Sequence, residues 1–434
     1  MPPQRPATLA PMKPGNWGAA CDLAWKVLEA CGRGGKGVRA AAGSTLYPHV
    51  WARDVGVASL GVLAASRGPN DVALVTASLG SLARHQDELG RIPLKIDVEA
   101  DRAVAENSAG IDGGIWFAIT VDQLARAAGP EIARPFIEPA LRAITWTRHL
   151  DVNGCGLLES PEASDWADMM PHRHNVLYPN VLYAVALRAG ARLHRLRAEE
   201  AAAARLDELA SDVRRKINLA FWLPDCTDVT NVGPWLVELA REYPEWGLTL
   251  QDAARRGSLP FYLPYVGFRT CGRHCDVPGN LLAVITGIAS PERAARLLDH
   301  LDRVGVADPA PSKAIDPPIF PGDPDWRDYN LWRSLNVPYQ YQNGGIWPFI
   351  GSLHVVALAK VGRHAEASAL MDRLVATCTA EPRFPEWLHG KTGRSMGEID
   401  QAWSASGLLY AATALASGKA PLLDAANKVT SPSS

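Results

Sequence analysis

The stretch GGIWFAITVDQLA, residues 113–125, decides how the rest of the chain is read. Wound as a helix, it is apolar almost all the way round, and a helix of that kind is buried on every side. GGIWPFIGSLHVVALA, residues 344–359, has the same character. Other segments differ. RLRAEEAAAARLDELASDVRRKI from Arg195, and RHAEASALMDRLVA at 363–376, set charges on one face and apolar residues at three- and four-residue spacing on the other. Buried helices alternating with amphipathic ones imply an inner ring inside an outer ring. The expected fold class is all-α, an (α/α)6 toroid or six-hairpin barrel.

Helical periodicity predicts segments near 16–32, 52–66, 71–87, 110–127, 130–149, 175–191, 196–220, 277–288, 291–303, 343–361, 363–378 and 399–416. No internal sequence repeat is visible, which argues against a regular solenoid. Between the helices lie long connections rich in Gly, Pro and aromatics, at 38–50, 88–107, 150–172, 222–275, 304–341 and 380–398. Loops of that length in a compact domain are usually functional. They recur between one helix pair and the next, so they are expected to gather at one end. No linker divides the chain: residues 15–418 read as a single catalytic domain, with 1–14 and 419–434 as disordered tails.

Lys and Arg number 44 against 46 Asp and Glu, a net charge of −2 that leaves no electrostatic footprint for nucleic acid or an anionic membrane. No apolar run approaches the length needed to span a bilayer. The opening MPPQRPATLAPMKPGNWG is proline-rich and lacks the apolar core of a secretory signal. A cytoplasmic protein is expected, and seven scattered cysteines, an odd number, agree. Cys271 and Cys275 flank His274, but no second Cys/His cluster exists to complete a tetrahedral metal site. No metal or organic cofactor is expected.

Fourteen tryptophans are many for 434 residues, and their placement tells more than their number. Trp51, Trp116, Trp166, Trp347, Trp387 and Trp403 all fall where a long connection meets a helix. Aromatic faces beside carboxylates suit a sugar, whose C–H faces stack while its hydroxyls bond to polar side chains. The plain alternative is that large aromatics plug a toroid core. HVWARDVG sets Arg53 and Asp54 beside Trp51; Asp54 is either a helix-start charge favoured by the dipole or part of an array for hydroxyl groups. SAGIDGGIWF places Asp112 before two glycines that permit close approach of a ligand. YQNGGIWPF repeats the design with Tyr341, Gln342 and Asn343.

Glycoside hydrolysis needs two carboxyl groups, one to protonate the leaving oxygen and one to activate water or attack directly. FPEWLHGKTGR supplies Glu386, with Trp387, His389 and Lys391 close by. PEASDWADMM, residues 161–170, supplies Glu162, Asp165 and Asp168 at three-residue spacing around Trp166. Glu386 and one member of EASDWAD form the best candidate pair.

Together WARD, DWAD, YQNGGIWP, FPEWLHGKTGR and QAWSASGLL resemble the alkaline and neutral invertases. More distantly they resemble debranching glucosidases, trehalases and cellobiose-type phosphorylases, which share an (α/α)6 catalytic domain. The motifs run in order from about residue 45 to 415. The resemblance implies that Glu386 is the catalytic base, because its Pro-Glu-aromatic-x-x-Gly-Lys frame is kept. It implies that Asp168 is the general acid, following the phosphorylases' Asp-Trp-Asn-Asp, with Asp165 as the fallback. Asp165, Trp166, Gln401 and Trp403 then join the sugar-binding set, and GRHCDVPGNLLAV makes Asp276 a neighbour of the site. Where the invertases carry Arg-rich sequence after their Asp, this chain has Met169 and Met170, a departure that bears on which sugar is accepted.

The implied activity is inverting hydrolysis of a small α-glucoside, sucrose or a related di- or oligosaccharide. Glu386 is expected to stay ionised and Asp168 to be protonated through burial and a neighbouring Asp165. The competing readings are an α-1,6-glucosidase of debranching type, a glycoside phosphorylase, a sugar epimerase and a non-catalytic sugar-binding toroid. A phosphorylase uses phosphate as nucleophile and has no need of Glu386. An epimerase needs histidines for proton abstraction, and His49, His172, His174 and His389 show no paired arrangement in sequence. The expected partner is a small carbohydrate, and the sequence leaves the oligomeric state open.

Overall fold

A computed structural model describes residues 17–105, 110–225, 229–243, 246–421 and 423. Among them are the helices α1 (Gly18–Cys31), α2 (Ala52–Ala64), α3 (Pro69–Arg84), α4 (Asp112–Ala128), α5 (Pro130–Arg148), α6 (Leu177–Leu196) and α7 (Glu200–Ala220). The remainder are α8 (Val229–Glu242), α9 (Gly247–Arg255), α10 (Val277–Ile285), α11 (Pro291–Arg303), α12 (Pro348–Lys360), α13 (His364–Thr379) and α14 (Ala402–Ser417). Helices α2, α4, α6, α10, α12 and α14 pack each on the next, and α14 closes back on α2. That closed ring is the inner barrel of an (α/α)6 toroid.

Burial follows the two sequence patterns. Every residue of α2 from Ala52 to Leu63 is buried, as is all of α10 and all of α12 up to Ala359. The outer helices bury one stripe only: α7 hides Ala203, Leu206, Ala210, Val213 and Ile217 at alternating three- and four-residue steps. Small residues let the inner helices approach closely. A Cβ on Gly61 of α2 would lie 2.0 Å from the Ser406 carbonyl oxygen of α14, and one on Gly407 would lie 2.4 Å from Ser352 Oγ of α12.

Connections from inner to outer helices are short, down to the single Gly129 between α4 and α5. Those from outer to inner are long, such as 149–176 and 304–347, so all six inner helices begin at the end where the long connections gather. Short antiparallel pairings stitch these connections together. Val50–Trp51 pairs with Lys95–Asp97, Glu159–Ser160 with His174–Val176, Cys275–Asp276 with Ile315–Asp316, and Trp387–Leu388 with Ser395–Met396.

Three expectations need correction. The 222–275 connection contains α8 and α9, and α8 runs through Pro234. The helix expected from 343 starts at Pro348, and the residues before it form a turn and isolated bridges, with Ile346 bridged to Leu388. Described residues of the expected C-terminal tail are packed: Ala420 and Leu423 are buried, and the Tyr410 hydroxyl donates to the Pro421 carbonyl at 2.8 Å. Residues 1–14 and 424–434 lie outside the described residues. Among the described residues, no helix is long and apolar enough to cross a membrane.

Candidate active site

At the end where the inner helices begin, a cavity of about 60 Å³ opens between aromatic walls. Trp51, Trp166, Tyr341, Trp347 and Trp403 line it, and the carboxyls of Asp54, Asp168 and Glu386 all face the same space. Trp166 and Trp347 meet edge to face at 5.7 Å, Trp347 and Trp403 at 5.5 Å, so each ring fixes the next. The indole N–H groups of Trp51, Trp166 and Trp403 are buried and find no acceptor among the described residues. Larger clefts exist, one of about 590 Å³ lined by α5 and α7 residues such as Leu141 and Leu209, but it gathers no Trp, Tyr or Phe ring and no deeply buried carboxyl.

Asp168 sits in the connection between α5 and α6 and is held by Gln342. The Gln342 amide donates to Asp168 Oδ1 at 2.9 Å and to the Trp166 carbonyl at 2.6 Å, while its oxygen accepts from Met169 N–H at 2.9 Å. One side chain therefore clamps the loop on both sides of the carboxyl. Burial raises the Asp168 pKa above the usual carboxylate range; the Arg53 guanidinium and the Gln342 amide pull it part of the way back.

Glu386 lies across the cavity in the connection before α14. Its Oε1 accepts from the Tyr47 hydroxyl at 3.0 Å and its Oε2 from Glu398 N–H at 3.0 Å. Gly397 is needed there: it has φ 68°, and a Cβ on it would come within 2.4 Å of Glu386 Oε2. Burial pushes the Glu386 carboxyl up to about 7, against the opposing pull of the Glu398 N–H and the Tyr47 hydroxyl. At neutral pH it is thus divided between its two forms, where the sequence reading expected it ionised.

The segment 342–346 joins the two carboxyls. Its first residue clamps the Asp168 loop. At its other end, Ile346 and Leu388 exchange backbone hydrogen bonds of 2.8 and 2.7 Å, tying it two residues beyond Glu386. Behind the cavity, Arg53 makes a bidentate contact with Asp112, Nε to Oδ2 at 2.6 Å and Nη2 to Oδ1 at 2.9 Å. Burial pushes both Asp54 and Asp165 up to about 7, and pushes Asp276 well above the usual range with help from Asp165.

Of the residues singled out from sequence, Trp51, Arg53, Asp54, Trp166, Asp168, Tyr341, Gln342, Trp347, Glu386, Gln401 and Trp403 line the cavity. The others do not. Asp112 is fully buried on Arg53, and Asp165 Oδ1 accepts from Ala167 N–H at 2.8 Å within its own loop. Asn343 is fully buried too, its amide spanning both backbone groups of Ile319. Trp387 packs behind Tyr341, His389 Nδ1 accepts from Lys391 N–H in a turn, and the Lys391 ammonium lies 4.2 Å from the Tyr339 ring centre. His172 is paired after all, Nε2 to Nε2 with His274 at 2.8 Å, but neither histidine lines the cavity. Sequence reasoning missed Tyr47, the partner of Glu386; its signal was an aromatic residue four positions before Trp51 in a long connection.

Residues 273–417 match the profile of the alkaline and neutral invertase family, a narrower span than the 45–415 expected from the motifs. That span contains Glu386 and Gln342 but not Asp168. Probable alkaline/neutral invertase D of Arabidopsis thaliana is 30% identical over 138 residues, 31% of this chain and 25% of that protein. Cytosolic invertase 1 of Oryza sativa subsp. japonica is also 30% identical over 138 residues, 31% of this chain and 24% of its own length. The chain thus spans about a quarter of the length of the curated relatives it matches. Among solved structures, the GH63 mannosylglycerate hydrolase of Thermus thermophilus in complex with glucose aligns with a TM-score of 0.64 and 16% identity, over 90% of this chain and 99% of that one. A bacterial glucoamylase complexed with acarbose aligns with a TM-score of 0.64 and 13% identity, over 94% of this chain and 57% of that one. The chain therefore has the (α/α)6 fold of these glycosidase structures, and over residues 273–417 it resembles the alkaline and neutral invertases.

Proposed function

We propose that the protein is an inverting glycoside hydrolase acting on a small α-glucoside, sucrose or a related di- or oligosaccharide. The observation that carries this is the presence of two buried carboxyls, Asp168 and Glu386, on one aromatic cavity with separate hydrogen-bond partners and no bond to each other. In this reading Asp168 gives its proton to the glycosidic oxygen as the bond from the anomeric carbon breaks. Water attacks that carbon from the opposite face and loses a proton to Glu386. Asp54 and the three unpartnered indole N–H groups are available to the sugar hydroxyls, while Arg53, held by Asp112, supplies a fixed positive charge beside the acid.

The Glu386 environment sets the pH dependence. The base works only when ionised, and burial lifts its pKa to about 7. The acid works only when protonated, and burial raises its pKa above the ordinary carboxylate range, so a bell-shaped pH profile is expected.

The test is hydrolysis of a panel of α- and β-linked disaccharides, with the released sugar followed by NMR before mutarotation. An α-glucoside should release β-glucose first. Initial release of the α-anomer would mean retention and remove Glu386 from the role of base. Asp168→Asn and Glu386→Gln should each lower kcat by roughly 10²–10⁴-fold, the range expected for loss of a general acid or base. A parent protein that binds these sugars but cleaves none would favour the non-catalytic toroid.

A further inference from the structure

The 304–347 connection carries a feature that the two carboxyls do not explain. A 3-10 turn over Asp328–Ser334 presents Tyr329, Leu331 and Trp332 at 37, 56 and 57% exposure. Arg333 and Ser334 both have φ 52°, so the chain turns through two left-handed residues immediately after Trp332. Backbone strain of this kind persists only where the surroundings enforce it. The Arg333 guanidinium lies 4.7 Å from the Trp332 ring centre and covers one face of it.

This exposed turn is fastened to the loop of the proposed acid. Asn336, fully buried, donates to the Met169 carbonyl at 2.7 Å, one residue from Asp168, and to Asn330 Oδ1 at 3.1 Å within the turn. The Tyr329 hydroxyl and the Arg327 guanidinium both bind Glu162 at the start of the same loop, at 3.0 and 3.1 Å. Seven residues beyond Trp332, Tyr339 accepts from Gly390 N–H at 2.7 Å, next to the loop of the proposed base. The aromatic turn is therefore rigidly mounted on the acid's side of the site, and the acid stands on the side of the leaving group.

We propose that Trp332, with Tyr329 beside it, is the stacking platform for the leaving-group sugar, so that the substrate is a di- or oligosaccharide and not the glycoside of a small polar alcohol. A pyranose has an apolar C–H face that an exposed indole accommodates, whereas a small polar alcohol has no such face to cover. Trp332 here is a specificity-determining residue, not a catalytic one. The inference rests on the hydrolase reading above.

The experiment compares an α-linked disaccharide with α-glucosyl fluoride, whose leaving group is too small to reach the platform. In Trp332→Ala the ratio of kcat/KM for disaccharide over fluoride should fall roughly three- to tenfold, carried by KM, the size expected from an aromatic contact. Trp332→Phe should recover most of that loss. An unchanged ratio, with the parent active on both substrates, would overturn the platform and leave the hydrolase reading intact. A change confined to assembly size by light scattering, with the ratio unmoved, would assign the indole to contact between copies and also overturn it. If neither substrate is cleaved by the parent protein, the hydrolase reading and the platform fall together.

Discussion

Asp112-Gly113-Gly114-Ile115-Trp116 and Asn343-Gly344-Gly345-Ile346-Trp347 share one pattern, polar–Gly-Gly–Ile–Trp, yet the fold uses them differently. The first lies inside α4, which begins at Asp112. Its Trp116 is buried in the core and donates to the Tyr178 hydroxyl at 2.9 Å. The second lies wholly outside α12, which begins at Pro348, a residue suited to the first helical position and missing from the other copy. Its Gly344 takes φ 85°, its Ile346 pairs with Leu388, and its Trp347 lines the cavity. With Pro348 the start of the helix falls several residues later, and the same pattern becomes the strap that joins the Asp168 loop to the Glu386 loop. The polar residue before the glycines ends in a structural role in both copies, Asp112 on Arg53 and Asn343 on Ile319.

The sharpest way to break this comparison is to remove those polar residues and the clamp beside them. Asp112→Ala should cost about 3–5 kcal/mol of stability, read from the urea midpoint, because it leaves the buried Arg53 guanidinium without a counter-charge. The strap should respond mainly in activity. Gln342→Leu should lower kcat by about 100-fold with a smaller change in KM, since Asp168 loses the group that fixes its geometry. The sign of its pH effect is also set. The Gln342 amide favours the ionised form of Asp168, so its loss raises that pKa further, and the limb of the kcat profile set by Asp168 should move to higher pH. A Gln342→Leu enzyme with an unmoved pH profile would show that the clamp does not govern Asp168.

The toroid was legible because burial leaves a direct trace in sequence: helices apolar all round alternate with striped ones, and α2, α10 and α12 are buried along nearly their whole length. The cavity was legible where a residue type has few other uses beside a helix start, as with Trp51, Trp403 and Glu386. It was not legible where the deciding partner comes from far along the chain. Gln342 and Asp168 are 174 residues apart, and Tyr47 and Glu386 are 339 apart. Asp112 and Asn343 looked like sugar ligands because a polar residue before two glycines suits a binding loop. Only the packing of the second layer shows that each is used up by the protein itself.

The smallest effects separate the two motifs most cleanly, because the same substitution should act with opposite sign. A Cβ on Gly345 would meet the Tyr341 carbonyl oxygen at 2.2 Å, so Gly345→Ala should destabilise by roughly 1–3 kcal/mol. Gly114 occupies the matching place, but it is helical. A Cβ on it would find Ala143 Cβ at 3.8 Å and Thr147 Oγ1 at 3.9 Å, which is ordinary contact. Gly114→Ala should therefore stabilise by about 0.4–1 kcal/mol, through a less disordered unfolded chain and better helix propensity. Denaturant midpoints of the two variants measure the difference. Midpoints shifted in the same direction would mean that the two glycines share one backbone role, and that the register of the helix start is not what divides these motifs.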